Sequence, residues 1–108
     1  MLIFVYGTLM RGFCNYESLL KGKTDYIIPA GAEGLLFHMQ ESYPAMITGA
    51  GTVRGEVMKL SDEGILKSLD RLEGYVEGSR GNLYERVERN AKLETGEVMM
   101  CWMYFYAD

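Results

Sequence analysis

Apolar residues along this chain fall mostly in short runs of strand length, and only one stretch spaces them as a helix does. Met1 to Tyr6 is the first run, and it stops at Gly7. Asp25 to Ala30 and Glu33 to Met39 read as two further strands, divided around Gly31. Tyr43 to Thr48 is a weaker strand pattern; Thr52 to Leu60 is a stronger one, with Val53, Val57 and Leu60 as its apolar members. Tyr84 to Leu93 alternates charged residues with Val87 and Ala91, the pattern of a half-exposed strand. In Glu97 to Tyr106 both parities are apolar: Val98, Met100, Trp102, Tyr104 and Tyr106 on one, Met99, Cys101, Met103 and Phe105 on the other. Such a strand is expected to be covered on both sides, as a central strand of a closed or nearly closed sheet is.

Two helices interrupt the strands. Asn15 to Leu20 predicts a short one. "SDEGILKSLDRLEGY" predicts the second, with Ser61 as N-cap, Asp62 and Glu63 where the helix dipole favours acids, and Gly74 as the left-handed C-cap. "EGSRGN", Glu77 to Asn82, reads as a loop. Many short strands with two helices predict an α+β fold, a small mixed β-barrel with flanking helices, formed by residues 1–108 as one domain.

Projected at about 100° per residue, Ile65, Leu66, Leu69 and Leu72 of the second helix form one apolar arc. Glu73 falls inside it, between Leu69 and Leu66, and Asp70 lies at its edge. A carboxylate on a core-facing arc is costly unless paired or protonated. Burial and the negative end of the helix dipole both raise its pKa, which makes Glu73 a candidate general acid or base. The alternative is a frayed last turn that gives Glu73 to water. Gly7 raises a related question, because glycine directly after a buried strand marks a tight turn or a close approach of backbone to a ligand. Amides of Tyr6 to Leu9 pointing into such a gap would bind a carboxylate or stabilise an oxyanion.

The totals narrow the function classes. Net charge is −4, with acids and bases mixed, so no basic footprint for nucleic acid is present. No stretch has the length of a transmembrane span, and the apolar N-terminus lacks a basic leader region. Two cysteines, Cys14 and Cys101, do not make a disulfide scaffold, and the expected location is cytoplasmic. One histidine and no C-x-x-C pair predict no metal site and no cofactor. Gly7 to Gly12 has the glycine spacing of a phosphate-binding loop, but Phe13 and Cys14 stand where that loop requires Lys and Ser/Thr. The pattern sets no oligomeric state.

"VYGTLMRG" (Val5 to Gly12) with Asn15, "GEVMKL" (Gly55 to Leu60), "LDRLEGY" (Leu69 to Tyr75) and "YERV" (Tyr84 to Val87) together resemble the gamma-glutamylcyclotransferase-like family, in order and over nearly the whole chain. The resemblance implies a mixed β-barrel. It implies that Tyr6, Gly7, Thr8 and Leu9 bind the α-amino and carboxylate end of a γ-glutamyl group, and that Glu73 is the acid/base. It also matches Tyr84 to a substrate-side position. The implied reaction converts a γ-glutamyl amine or γ-glutamyl amino acid to 5-oxoproline and free amine, without cofactor or metal. The long "GYVEGSRG" loop bears on the leaving group. A non-catalytic small-ligand-binding module on the same fold is the alternative. A thiol enzyme pairing Cys14 with His38 is a weaker one, since nothing in the sequence places them together.

Overall fold

The computed structural model describes all residues except 8–9, 13, 39–43, 74, 79–81, 83 and 107–108. Its elements are β1 (Leu2–Val5), α1 (Cys14–Leu19), β2 (Thr24–His38), β3 (Pro44–Leu60), α2 (Glu63–Glu73), β4 (Tyr84–Leu93) and β5 (Val98–Tyr106). The strands close into a barrel in the order β1-β3-β2-β4-β5. All neighbours are antiparallel except β1 and β5, which meet in parallel at Ile3 and Trp102. This is the expected α+β mixed barrel.

Strand alternation divides the buried residues into two layers. One cluster draws on all five strands and on no helix, with Phe4, Ala32, Val53, Val57, Ala91 and Met103 among its members, so it fills the barrel. The other joins Tyr16 and Leu20, at α1 and just past its end, and Ile65, Leu66 and Leu69 of α2 to Ile3, Val5, Met58 and Tyr104 on the outer barrel wall. Ala30 and Ala32 of β2 pair with Leu93 and Ala91 of β4, and all four belong to the layer that fills the barrel.

Four expectations need correction. Gly31 does not divide a strand: β2 is one element of 15 residues. Gly31 is paired on both sides, with Arg54 of β3 and Lys92 of β4, so the ladders carry the strand through it, with a register shift later, between Glu33 and Leu35. The strand patterns on either side of Gly49 to Gly51 likewise fuse into one strand of 17 residues, whose expected first residue, Tyr43, lies outside the described ones. Helix α2 starts one residue later than expected. The Gly64 N–H donates to Asp62 Oδ1 at 2.7 Å, while the Ser61 hydroxyl is taken by Asp25 Oδ1. The two-sided cover of β5 holds only beyond Met100. Val98 and Met100 are exposed, because the helix layer reaches no further than Trp102. The expected cap Gly74 lies outside the described residues.

Candidate active site

Strand β1 delivers Tyr6 and Gly7 to one end of the barrel. Gly7 takes φ = 67°, the left-handed region in which a Cβ is strained, and this is why the chain turns on glycine just past the strand. The Met10 N–H donates to the Gly7 carbonyl at 3.1 Å, and the Arg11 N–H donates to Glu56 Oε1 at 2.7 Å. The turn is thereby tied to β3, where Glu56 pairs with Val5. The Tyr6 hydroxyl accepts the Met46 N–H at 2.9 Å. Thr8 and Leu9 lie outside the described residues, as do the side chains of Cys14 and His38.

Glu73 is the last residue of α2 and is partly buried, in line with its place in the apolar arc. Leu72, expected in the same arc, is exposed. The buried face centres on Ile65, Leu66 and Leu69, and in projection Glu73 lies nearer that centre than Leu72 does. Burial pushes the Glu73 carboxyl from 4.5 up to about 7. Tyr6 is raised well above the phenol range, first by burial and further by the charges of Glu73 and Tyr84, against the lowering effect of the Met46 amide. Tyr104 is raised by burial, by its hydrogen bond to Asp70 and by nearby charge that includes Glu73. Tyr6 and Tyr104 are therefore neutral hydroxyls within electrostatic reach of one carboxylate. Tyr84 is buried beside them, edge-on to Tyr106 at 5.7 Å between centroids.

The structure thus brings together Glu73, Tyr6, Gly7 and Tyr84. It adds three residues that the sequence pattern did not single out as a group. The Tyr104 hydroxyl donates to Asp70 Oδ1 at 2.6 Å, and Arg86 Nη1 donates to Asp70 Oδ2 at 3.1 Å. Arg86 shares strand parity with buried Tyr84 and pairs with Tyr104, so the alternation of β4 placed it on the covered face.

A separate open cavity of about 800 Å³ runs along β2, β3 and β4, lined by Gly31, Gly55 and Ala91 among others. Neither Glu73 nor Tyr6 nor Tyr84 lines it. Among the described residues no three of His, Cys, Asp and Glu converge as metal ligands, and no helix is long and apolar enough to cross a membrane.

The closed five-stranded barrel is a fold shared with proteins of known structure. Residues 3–108 match the family of gamma-glutamyl cyclotransferases, AIG2-like, and the chain belongs to it. It is 34% identical over 105 residues to the gamma-L-glutamyl-butirosin B gamma-glutamyl cyclotransferase of Niallia circulans, covering 96% of this chain and 65% of that protein. The chain therefore spans just under two thirds of that relative's length. Its fold matches an AIG2-like protein from Mus musculus with a TM-score of 0.78 and 25% identity, over 98% of this chain and 76% of the other. A gamma-glutamyl cyclotransferase of known structure shares the fold at a TM-score of 0.72 and 18% identity, over 99% of this chain and 66% of that one.

Proposed function

We propose that this protein is a γ-glutamyl cyclotransferase that releases 5-oxoproline from a γ-glutamyl amine or γ-glutamyl amino acid, with Glu73 as the acid/base. The reading rests on one observation: a partly buried carboxylate, its pKa raised by burial to about 7, within electrostatic reach of Tyr6 beside the Gly7 turn. The substrate's α-amine attacks its own γ-carbonyl carbon, and the bond from that carbon to the leaving nitrogen breaks. Glu73, as carboxylate, takes a proton from the α-ammonium and returns it to the departing nitrogen. Proton transfer of this kind is worth roughly 10²–10⁴ in rate. Holding the chain curled supplies up to ~7–11 kcal/mol through proximity in well-oriented cases. Tyr6, Gly7, Thr8 and Leu9 bind the α-amino and carboxylate end, and the hydroxyls of Tyr6 and Tyr84 serve as donors to it. The relative from Niallia circulans is named for a γ-glutamyl group on butirosin B, which supports an amine leaving group.

The test is 5-oxoproline release from a panel of γ-glutamyl amines and γ-glutamyl amino acids, by the wild type and Glu73→Gln. We expect release by the wild type and a loss of at least ~10² in the variant. Full activity in Glu73→Gln refutes the assignment. Free glutamate in place of 5-oxoproline identifies water as the nucleophile. Ligand-induced stabilisation without turnover identifies a binding module.

A further inference from the structure

The ion pair of Arg86 with Asp70 stands apart from the others among the described residues. Its side chains are 11% and 17% exposed, whereas Lys21–Glu17 and Lys59–Asp25 are half in water or more. Buried pairs are poor stabilisers, because desolvation offsets their attraction. This one carries a further cost, since Arg86 Nε is buried with no hydrogen-bond partner. Stability alone therefore does not account for it.

Its geometry gives another reason. The Arg86 guanidinium lies over the rings of Trp102 and Tyr75, at 4.7 and 5.2 Å from their centroids. Its Nη1 holds Asp70, whose other oxygen is held by Tyr104. The Tyr75 N–H in turn donates to the Asp70 carbonyl at 2.8 Å. One guanidinium from the barrel wall thus grips the chain at residue 70 and again at residue 75. Glu73 lies between the two grips, at the end of a helix that is otherwise free to fray.

We propose that Arg86, acting through Asp70, Tyr104 and Tyr75, is a positioning residue that fixes the carboxylate of Glu73 in its buried, reactive orientation. The inference rests on the role proposed for Glu73, but its test does not depend on turnover alone. The groups facing this end of α2 are Tyr6 from β1, Tyr84 and Arg86 from β4, Tyr104 from β5 and Asp70 from α2 itself. Of the other elements packed on the helix, α1 brings Tyr16 into the same layer, and β3 brings the apolar Met58 and Leu60. The paired change Asp70→Asn with Arg86→Met removes one charge of each sign. It keeps an acceptor for Tyr104 and an unbranched stem against the rings, so any change in Glu73 reports its position rather than a new net charge.

The experiment is a carboxyl-detected NMR titration of Glu73 in wild type and in the paired variant, alongside kcat and KM. We expect the midpoint to fall from about 7 toward the ordinary 4.5 as the carboxylate swings into water. We expect kcat to fall by roughly 10–100-fold with KM changed less than ~3-fold, as misplacement of a reacting group does. Arg86→Lys, which keeps the cation, should recover part of the kcat loss. Tyr104→Phe, which removes one hydrogen bond and no charge, should move both readouts the same way by less, and it decides the matter if the paired variant does not fold. An unchanged midpoint with unchanged kcat overturns the proposal, and so does a rise in KM at constant kcat. If the wild type makes no 5-oxoproline, the proposed reaction fails while the titration still judges the grip.

Discussion

At the scale of the residue, the property that the proposed proton transfer draws on in Glu73 is also a source of instability. Its folded pKa, about 7, lies above the ordinary 4.5, so the folded state holds this proton more tightly than the unfolded chain does. The contribution to stability is complete below pH 4.5 and is lost as pH rises through 7. The shift bounds the loss at about 3 kcal/mol above neutrality. Glutamine imitates the protonated acid at every pH. Glu73→Gln should therefore match the wild type in thermal unfolding near pH 5 and exceed its Tm by several degrees near pH 8, where the wild type holds a buried charge. An equal Tm gap at both pH values contradicts a desolvated carboxyl. The catalytic consequence has the opposite sign. In the proposed reaction, accepting the α-ammonium proton requires the Glu73 carboxylate, so the rate should rise with pH on an acidic limb centred near 7, the same range in which stability falls.

At the scale of the element, β3 shows why local pattern reads some features and misses others. A Cβ on Gly55 would run into the Val5 carbonyl oxygen and lie 2.7 Å from Phe4 Cζ. The first of those atoms is backbone and cannot move without shifting β1, the strand that carries Tyr6 and Gly7. Gly55→Ala should cost about 3 kcal/mol in urea unfolding, the upper end for overpacking, and a loss under about 1 kcal/mol would show that β1 yields. Gly49 and Gly51 have a different reason, because the Leu35 side chain of β2 lies where their Cβ atoms would be. From the sequence these glycines and Gly31 look like breaks, since the partners that require them stand on other strands. Strand β1, helix α2 and strand β5 were legible because each carries its own signal, a continuous apolar run in the strands and a helical spacing in α2. Glu73 was legible for the same reason, as an acid on an apolar arc, and Gly7 as a glycine closing a strand. The grip on Glu73 was not, because Arg86 and Tyr104 lie 16 and 34 residues from Asp70 and meet it only when β4 and β5 pair on the covered face.

At the scale of the whole molecule, the barrel closes through a narrow seam. Strand β5 runs alongside β4 from Tyr84–Tyr106 to Lys92–Val98, but meets β1 in register only at Ile3 and Trp102. A seam this short raises the question whether the barrel opens locally or only by complete unfolding. Cys101 sits one residue from the seam and faces inward, 1% exposed, in the same cluster as Phe4, Val57 and Met103. Burial pushes its thiol from 9 up to about 11. The interior is one packed unit contributed by all five strands, so parting β1 from β5 would expose Phe4 and Val57 along with the thiol, at a cost close to that of full unfolding. Alkylation of Cys101, followed by mass spectrometry of its peptide, should therefore be at least ~10³-fold slower in the native protein than in denaturant. Its dependence on urea should have the slope of global unfolding. Labelling that is fast and insensitive to urea would show the seam opening by itself. Since Cys101 has no part in the proposed chemistry, 5-oxoproline release should persist at full rate for as long as the thiol stays shielded, and the two should be lost together.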